Sequence, residues 1–388
     1  MKLHRTPLAF ALLAIMAAPA AQAEITLDVI GGSEVSFEGL LQSDFYWFNT
    51  DTIDYGADSA SDLDGDEYLN ELRRAELVLK GKGPGNFEWV VGYDAKDDKF
   101  LDANIKYKIG GNSNHFFQLG QYKQPGATME ELSSTKNNDF ISKSSVTNSL
   151  GTARRLGAAY GYGQANWGVT ASYFGRELTR NREHGGGYGV RGYWAPINQA
   201  GNVLHLGASY TDKDTDADFI RLRARPMADM VSTRFVDTGS SGLRASDRVT
   251  NLGVEGMWIT GPIKLQAEYM NADVDRYAGA EDFTGNGFYV AGLWNISGET
   301  WGYRGGVPTT PLPEDPVKGL WQLGLRYDTI DLTDGALTGG ELDSWTAGVN
   351  WYWRSNFKFM LNYVKVDQEK GALEDNPDIV EARLQFYW

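Results

Sequence analysis

The last ten residues of the chain, IVEARLQFYW (379–388), alternate between apolar and polar side chains. The apolar set falls on one parity: Val380, Ala382, Leu384, Phe386 and Trp388. Because successive side chains of a β-strand point to opposite faces, this period of two predicts a strand with one apolar and one polar face. The apolar face must then contact either a protein core or lipid.

The same alternation recurs through most of the chain. Clear instances are LDANIKYKI (101–109), WGVTASY (167–173), IKLQAEY (263–269), WQLGLRY (321–327) and WTAGVNWYW (345–353). Sixteen such segments begin near residues 39, 73, 87, 101, 115, 153, 167, 187, 202, 249, 262, 286, 319, 343, 356 and 379. Most span about 9–11 residues, the length of a tilted strand that crosses a bilayer, and bacterial membrane barrels have an even number of strands.

The connections between these segments alternate between short and long. Short links include GKGPGN (81–86) and TG (260–261), whereas the links 124–152 and 213–248 are long. Short periplasmic turns opposite long extracellular loops are typical of outer-membrane barrels. The link 297–318 breaks this rule, because it is long, contains four prolines and lies on the short-turn side.

The first 23 residues have the form of a secretory signal peptide. Lys2 and Arg5 precede an apolar run (7–18), which is followed by the A-x-A cleavage pattern of Ala21 and Ala23. We therefore predict a signal peptide (1–23) and a single β-barrel domain (24–388). Such a signal indicates export through a cleaved leader, and the strand pattern predicts the bacterial outer membrane as the destination.

Composition narrows the class of protein further. The formal net charge is −15, which argues against nucleic acid as a partner, and the absence of cysteine excludes thiolate metal sites. The mean hydropathy of −0.40 is typical of soluble proteins, yet membrane barrels are also hydrophilic because lumen-facing residues alternate with lipid-facing ones. A soluble β-sandwich or barrel with the apolar parity inside is the alternative. The signal peptide, the aromatic strand ends and the number of strands favour the membrane barrel.

Motifs for catalysis or metal binding are not found in the sequence. It has no G-x-S-x-G motif and no P-loop, and its three histidines after the signal, His115, His184 and His205, lack partners at metal-ligand spacing. The acidic segment DLDGDEYLNE (62–71) has the composition of a calcium loop, but its glycine is misplaced for an EF-hand and a solvated loop explains it as well. We predict neither an enzyme nor a cofactor, with a barrel enzyme that uses serine and histidine as the alternative.

Arginine residues form a pattern of their own in one long loop. The run FIRLRARP (219–226) places Arg221, Arg223 and Arg225 at every second position. In an extended segment their side chains project to one side, about 6–7 Å apart. The guanidinium group suits oxyanions such as phosphate, so the row predicts successive sites for a small anion. A solvated loop, or a loop that binds the phosphates of lipopolysaccharide, is the alternative.

Other basic residues are expected to face the lumen. Arg73 and Arg74 begin a strand, and Arg74 falls on its polar parity. Lys123, Lys136 and Lys143 lie in or beside the long loop 124–152. Because a lysine or arginine that faces lipid at the bilayer midplane costs about 2–4 kcal/mol, these charges belong on the water-filled side.

Several segments resemble the phosphate-selective porin family, the O/P-type outer-membrane channels, over about residues 37–388. The similarity is carried by LRRAEL (72–77), LGQYKQP (119–125), LRARP with STRFVDTG (222–239), LQAEY (265–269) and GVNWYW (348–353). No single one of these segments is decisive. Their order and spacing together identify the family.

The resemblance implies a sixteen-stranded barrel that assembles as a homotrimer, with long extracellular loops partly folded into each lumen. It also implies a conduction path with an arginine ladder above a constriction and lysines below it. The matching residues are Arg221, Arg223 and Arg225 for the ladder, Arg73 and Arg74 for the wall, Lys136 and Lys143 for the constriction, Lys318 for the proline-rich link, and Asp102 for an acidic wall residue. At Lys143 the sequence reads FISK where the family has F-M-E-R, so the neighbouring acid is lost.

These expectations predict an outer-membrane channel for the passive diffusion of anions, with phosphate or polyphosphate as the preferred class and no cofactor. Its partners would be small anions, outer-membrane lipid and lipopolysaccharide, and further copies of the chain. One alternative is a general or weakly cation-preferring porin, which the acidic balance of the chain favours. Another is a plugged barrel without transport activity.

Overall fold

The computed structural model describes residues 25–30, 32–49, 67–179, 185–215, 218–229, 231, 234–240 and 242–388. The predicted signal peptide (1–23) lies outside the described residues, as does the first half (62–66) of the acidic segment 62–71. The secondary structure is almost entirely β. None of the helices in the described part is long and apolar enough to cross a membrane.

Sixteen antiparallel strands form the wall of the molecule. They are β1 (Ser33–Asn49), β2 (Glu67–Lys82), β3 (Phe87–Asp94), β4 (Lys99–Lys108), β5 (His115–Lys123), β6 (Arg154–Gln164), β7 (Trp167–Phe174), β8 (Gly187–Gln199), β9 (Asn202–Asp214), β10 (Ser246–Thr260), β11 (Ile263–Arg276), β12 (Phe283–Asn295), β13 (Leu320–Asp334), β14 (Leu337–Trp353), β15 (Phe357–Lys370) and β16 (Asp378–Tyr387). All sixteen begin within six residues of the predicted starts.

The wall closes on itself between its first and last strands. Each strand pairs with its neighbours in sequence, and β16 pairs with both β15 and β1. At the seam, Gly39 and Trp388 exchange two backbone hydrogen bonds of 3.2 Å. Closure leaves no sheet edge with unpaired backbone groups, which is the condition for a β-structure in lipid. The sixteen-stranded antiparallel barrel predicted from the sequence is confirmed.

The remaining elements are short and lie in the connections. They are the strands Ile25–Ile30, Phe219–Ile220, Leu243–Arg244, Gly302–Arg304, Val307–Thr309 and Leu373–Asp375, the helices α1 (Met129–Leu132) and α2 (Ser145–Leu150), and the 3-10 turns Ile109–Gly111 and Thr135–Asn137. Ile25–Ile30 pairs with β1, and Gly302–Arg304 forms a hairpin with Val307–Thr309. Three connections are longer than twenty residues: 124–153, 215–245 and 296–319.

The exposure of side chains on the two faces of the barrel shows whether the apolar parity contacts lipid or a protein core. On β13, Leu325 is 51% exposed whereas the next residue, Arg326, is 1% exposed. On β15, Leu361 is 52% exposed and Lys358 is fully buried. A soluble sandwich would bury the apolar parity and expose the polar one. The apolar parity therefore forms the outer, lipid-facing surface, and the polar parity lines the interior.

Aromatic rings gather at the short-turn edge of the outer surface. Trp351, near the end of β14, lies with ring centroids 5.5 Å from Trp321 and 5.2 Å from Phe359. Phe386 lies 4.9 Å from Phe357 and 5.3 Å from Trp388. Aromatic girdles of this kind mark the level of the membrane interface. They place the C-terminal aromatic residue at the level where the barrel leaves the hydrocarbon.

Part of the interior is apolar, which the alternation did not predict. Two of the long connections pack against each other and against the inner face of the long-loop half of the barrel. Ile141 and Val146 from 124–153, and Leu222 and Val236 from 215–245, join one buried cluster with wall residues that include Ile330. Several inward positions in this half are therefore apolar, so the period of two weakens there. The alternation thus marked only part of many strands, and most strands, at 8 to 17 residues, are longer than the expected 9–11.

Candidate functional site

The connection 124–153 descends from the long-loop edge into the barrel and is fixed along one wall. The backbone N–H of Met129 donates to Glu255 Oε2 on β10 at 2.7 Å. Lys358 Nζ on β15 donates to the carbonyl of Asn138 at 2.5 Å, and Arg383 Nη1 on β16 donates to that of Ile141 at 2.8 Å. Lys358 is the second residue of β15, so the loop reaches the short-turn half of the lumen. We call the strands β10–β16 the filled wall.

Two cations of the filled wall, Lys264 and Arg383, are buried and paired with carboxylates. Arg383 donates to both carboxylate oxygens of Asp44 on β1, at 2.7 and 2.6 Å. Lys264 contacts Asp139 of the inserted loop at 2.5 Å. Lys264 and Arg383 are 1–2% exposed at their side chains. These cations hold the loop in place and are shielded from solvent, so they are poor candidates for contact with a passing ion.

The connection 296–319 enters the lumen from the opposite edge and meets the first loop. Thr310 Oγ1 donates to Asn137 Oδ1 at 2.9 Å. Arg191 Nη2 on β8 donates to the carbonyl of Gly306 at 2.7 Å, and the Tyr303 hydroxyl lies 2.6 Å from His205 Nδ1 on β9. Gly306 has a φ of +79°, and a Cβ atom there would lie 2.7 Å from the Tyr193 ring, so the close approach requires glycine. The long proline-rich link is therefore a second lumenal segment.

The opposite side of the lumen, formed by β2–β4, is not covered by either segment. A cavity of about 440 Å³ lies against it, and its lining includes Lys80, Lys106, Asp102 and Arg304. We call these strands the open wall. Lysine side chains here differ in exposure: that of Lys80 is 42% exposed, that of Lys108 is 22% exposed, and Lys106 is half-buried.

Carboxylates on and beside the open wall are paired with basic groups. The four pairs are Lys80 with Glu38 at 2.6 Å, Lys108 with Glu88 at 2.7 Å, Arg154 with Asp102 at 2.9 Å and Arg74 with Glu76 at 3.3 Å. Asp102, the acidic wall residue expected from the resemblance, is thus an ion-pair partner. The net charge of the passage therefore comes from the cations that have no acidic partner among the described residues.

Four of the cations that have no ion pair among the residues that the structure describes are spread along the lumen. They are Lys106, Lys136, Arg223 and Arg304. Lys106 Nζ lies 4.2 Å from the centroid of the Phe116 ring, and Lys136 Nζ lies 5.8 Å from that of Tyr387. Arg304 lines two cavities, and Arg223 is exposed in the 215–245 connection. They extend from the long-loop half of the lumen to the short-turn half.

The row Arg221, Arg223 and Arg225 has the alternation that its spacing predicts. The intervening residues Leu222 and Ala224 are buried, at 6% and 0% exposure, and the arginines lie on the other side. The segment is held extended by a bridge between Arg223 and Asp237 and by the bond from Ala224 N to Val236 O at 2.9 Å. Arg221 is neutralised by Asp237, whose Oδ1 accepts from its Nε at 2.8 Å. Within the row, Arg223 and Arg225 therefore carry charge that no ion pair with the described residues neutralises.

A β-bulge turns two consecutive arginines into the lumen. Gln42 of β1 pairs with Arg74 and Ser43 pairs with Leu72, so Arg73 is the extra residue. Arg74 follows the inward parity, and Arg73 also reaches inward, since its Nη2 contacts Asp229 Oδ2 of the 215–245 connection at 3.4 Å. The bulge was not predicted from the sequence.

Several arginines lie close together in this part of the 215–245 connection, and they shift the pKa values of neighbouring groups. Although burial opposes ionisation, Arg73, Arg225 and Arg383 lower the pKa of Asp229 to about 2. Burial and the neighbouring arginines Arg73 and Arg223 lower the pKa of Arg225, despite the nearby Asp229. Burial, Arg225 and Arg223 likewise lower the pKa of Arg234. Each guanidinium lies in the positive potential of the others, which is the environment that an added anion would relieve.

The lysines of the first loop are partly neutralised. Lys143 Nζ contacts Glu131 Oε2 of α1 at 2.5 Å, so an acid twelve residues away replaces the neighbour lost from the FISK segment. Lys123 Nζ donates to the carbonyls of Glu131 and Ser133 at 2.5 and 2.6 Å. Lys123 thus fastens the C-terminal end of α1. Lys136 lies lower, beside the short-turn half of the lumen.

Lys318 lies apart from the other predicted residues. Its side chain is 85% exposed and lies 3.6 Å from Asp315. Its carbonyl accepts from Trp351 Nε1, a residue of the outer aromatic girdle, at 3.0 Å. The structure therefore brings together the predicted residues of the lumen but not Lys318.

Arg304 was missed by sequence reasoning. It ends the first strand of the hairpin in the 296–319 connection, next to Gly305 and Gly306, which both have positive φ. A Gly-Gly pair between short extended segments is a hairpin signal. The sequence YRGGV, inside a link too long for a periplasmic turn, was the signal that could have found this residue.

Sequence comparisons place the chain among known proteins. The model of the family described as phosphate-selective porin O and P matches residues 46–388. Porin O of Pseudomonas aeruginosa is 30% identical over 232 residues, which are 51% of this chain and 52% of that protein. An uncharacterized protein of Caulobacter vibrioides is 27% identical over 341 residues, which are 80% of this chain and 65% of that protein. The chain thus matches about half the length of the first relative and less than two thirds of the second.

Solved structures share the fold at low sequence identity. The anion-selective porin from Comamonas acidovorans superposes with a TM-score of 0.59 at 13% identity, over 92% of this chain and 100% of that one. The channel DcaP of Acinetobacter baumannii gives 0.60 at 12% identity, over 93% and 99%. OmpT of Vibrio cholerae in its trimer form gives 0.56 at 14% identity, over 92% and 99%. At these identities the likeness establishes the porin fold.

Proposed function

The chain belongs to the phosphate-selective porin O and P family, and from this premise we propose that it is a channel for the passive diffusion of anions across the bacterial outer membrane. The family and the fold are those of channel proteins and not of enzymes, and they place the chain in the outer membrane. The preferred anions in this proposal are phosphate and polyphosphate. The channel needs no cofactor.

One observation carries the proposal: the open side of the lumen has more cations than anions. The carboxylates Glu38, Glu88 and Asp102 are each engaged by a lysine or arginine. Lys106 and Arg304, next to them, have no ion pair in the described ranges. Negative charge in the passage is therefore neutralised, and a positive potential remains although the whole chain is acidic.

The mechanism follows from this arrangement. A low-dielectric wall strengthens the attraction of fixed cations and raises the local concentration of anions. An anion that enters loses part of its hydration shell to guanidinium and ammonium donors. Conduction requires several sites of modest affinity, so that the ion leaves one as it reaches the next. Arg223, Arg225, Lys106, Arg304 and Lys136 supply such a series.

Phosphate preference is supported by the upper part of the series. Arginine offers planar, paired donors that match the oxygens of phosphate, whereas chloride accepts bonds without directional preference. Arg223, Arg225 and Arg234 lie in the same connection. Burial and neighbouring arginines that include Arg223 lower the pKa of Arg225 and of Arg234. A doubly charged oxyanion would relieve this repulsion more than a single chloride would.

A general or weakly cation-preferring porin is the second candidate. Acidic residues on the lumenal face, such as Glu38 and Glu88, favour it. It requires that these carboxylates outweigh the cations in solution, whereas each is paired in the structure.

The proposed assembly is a homotrimer in contact with outer-membrane lipid and lipopolysaccharide. The trimer form of OmpT, a barrel of the same fold, supports it. Contact with lipid follows from the apolar outer parity, and the aromatic girdle at the short-turn edge supports it further.

The proposal is tested by the reversal potential of the purified protein in planar bilayers under a potassium chloride gradient. We expect chloride to be more permeant than potassium, and phosphate added at millimolar concentration to reduce the chloride current. The double variant Arg223→Ala/Arg225→Ala should lose most of the phosphate effect and part of the anion selectivity. A wild-type channel that prefers potassium would overturn the anion proposal.

A matched arginine controls for the loss of charge alone. Arg354 lies in the turn between β14 and β15 and covers the outer ring of Trp353, with its Cζ 5.0 Å from the ring centroid. Arg354→Ala should leave the phosphate effect in place. Equal losses in both variants would mean that overall charge, and not the arginine row, attracts the anion.

A further inference from the structure

A second cavity lies in the short-turn half of the lumen, below the meeting point of the two inserted segments. It has a volume of about 540 Å³, and its lining includes Lys136, Tyr303, Arg304, Leu312 and Tyr387. Small-molecule sites in proteins commonly measure about 300–1,000 Å³. The cavity is therefore large enough for an organic anion and much larger than a phosphate requires.

The charge of this lower cavity is positive. Lys136 and Arg304 have no ion pair in the part of the chain that the structure describes. Glu38, a carboxylate of the lining, is engaged by Lys80 at 2.6 Å. The cavity thus offers a guanidinium and an ammonium group to an incoming carboxylate.

Apolar surface lies beside these cations. Leu312 is 40% exposed although it faces the cavity and not lipid. It stands between Pro311 and Pro313, which restrict the backbone, so the leucine is presented by a stiff segment. The ring of Tyr387 lies under Lys136, and the hydroxyl of Tyr303 is bound to His205, which fixes its ring. A hydrated inorganic ion gains nothing from these surfaces.

The first cavity, against the open wall, differs in the residues of its lining. It is lined by Lys80, Glu88, Asp102 and Lys106, whereas Leu312, Tyr303 and Tyr387 line only the lower cavity. Arg304 lines both cavities. An anion that binds Arg304 can therefore keep its charged group near the first cavity and place the rest of the molecule against Leu312 and Tyr387.

We propose that the lower cavity is a binding site for organic carboxylates with an apolar body, such as an aromatic ring. Arg304 and Lys136 bind the carboxylate, and Leu312 with the Tyr303 and Tyr387 rings covers the apolar part. Burial of apolar surface is favourable in proportion to its area, and it adds to the charge attraction that every anion experiences. The inference rests on the proposed anion channel and names an additional substrate class for it.

The test uses the purified full-length protein in planar bilayers, with chloride as the current carrier. Potassium benzoate and potassium acetate are added in turn to the short-turn side, and their block of the chloride current is titrated. Both have one carboxylate, and only benzoate has an apolar ring. We expect benzoate to block at a concentration at least about tenfold lower than acetate, because the ring buries apolar area on binding.

Two variants separate the apolar and the charged contributions. Leu312→Ser should reduce the preference for benzoate over acetate about fivefold. Arg304→Gln should weaken the block by both acids. Arg354→Gln removes an arginine from the same rim outside the cavity and should change neither block.

The outcomes distinguish this inference from the proposed function. A chloride-selective channel that benzoate and acetate block equally would overturn the lower-cavity site and leave the anion channel standing. A potassium-selective channel would overturn the anion channel, and the site with it. A benzoate preference that survives Leu312→Ser unchanged would also overturn the site, because the ring would then bind elsewhere.

Discussion

The filled wall and the open wall of the barrel carry the same kinds of residue in different states. On the filled wall, Lys264 and Arg383 are almost fully buried, and each contacts a carboxylate. On the open wall, the Lys80 side chain is 42% exposed, and Lys106 has no acidic partner in the described ranges. Both sets occupy inward positions of their strands. What differs is whether an inserted segment covers them.

This difference shows that inward parity alone does not make a residue part of a conduction path. A buried cation needs a carboxylate or carbonyl partner because its hydration is lost, and a carboxylate partner also balances its charge. A solvated cation needs no such partner and attracts mobile anions. The connection 124–153 divides the lumen in this way, since its contacts with Glu255, Lys358 and Arg383 lie on one side.

The largest effect is expected from removing a buried cation. Arg383→Ala leaves the carboxylate of Asp44 buried without its two bonds from the guanidinium, which costs about 3–5 kcal/mol of stability for a buried pair. Lys80→Ala removes the same charge from the half-exposed pair with Glu38 and should cost less than about 1 kcal/mol. The measurement is urea unfolding of the barrel in lipid vesicles.

Equal destabilisation by these two variants would break the comparison between the walls. As a further control, Arg383→Ala combined with Asp44→Asn removes the stranded charge. This double variant should recover part of the stability lost in the single one.

A smaller effect on stability is expected at Asp229, which links the first inserted loop to strand β2 of the open wall. Its N–H binds Ser142 Oγ of the first loop at 3.2 Å, and its carboxylate contacts Arg73 of β2 at 3.4 Å. Because Arg73, Arg225 and Arg383 outweigh burial and lower the pKa of Asp229 to about 2, the ionised form stabilises the fold by about 2 kcal/mol. This contribution is complete above the ordinary pKa of about 4 and is lost as the pH falls through about 2.

Hydrogen–deuterium exchange of the 215–245 connection measures this contribution. After correction for intrinsic rates, protection should be constant from pH 7 to pH 4 in the wild type and should fall below pH 3. In Asp229→Asn the protection from exchange should be reduced at every pH. Protection that already falls between pH 7 and pH 5 would show that another group controls the docking of the connection.

Ion selectivity should change less than stability does, and only for substitutions that remove a cation beside the open wall. Arg304→Gln removes a solvated cation that lines both cavities, and should reduce the permeability ratio of chloride to potassium about twofold. On the filled wall, the double variant Lys264→Met/Asp139→Asn removes a buried pair of no net charge. Its permeability ratio should equal that of the wild type. A reduction as large as that of Arg304→Gln would mean that the filled wall also contacts the ions.

The sequence was sufficient for the barrel because the signal is repeated sixteen times. Each alternating segment, such as WQLGLRY, indicates one strand, and the even count agrees with a closed bacterial barrel. The arginine row was also visible, since its period of two survives wherever the chain is extended. These are local patterns, and the structure preserves them.

The division of the lumen was not visible, because it depends on contacts between distant residues. The residues next to Lys358 in sequence do not indicate that Asn138 will cover it. The bulge at Arg73 is likewise defined only by the register of β2 with β1. The acidic partner of Lys143 was sought in the adjacent residues, whereas Glu131 supplies it from α1. Pairing across loops decides which predicted cations are neutralised.

The smallest effect is expected at Lys318, which the resemblance assigned to the lumen. Its side chain is 85% exposed and lies 3.6 Å from Asp315, beside the outer girdle residue Trp351. At that position its charge is screened within about 10 Å at 0.1 M salt, so Lys318→Ala should leave the permeability ratio within error of the wild type. A shift comparable to that of Arg304→Gln would show that the end of the 296–319 connection reaches into the passage, and the boundary between lumen and rim would then have to be redrawn around it.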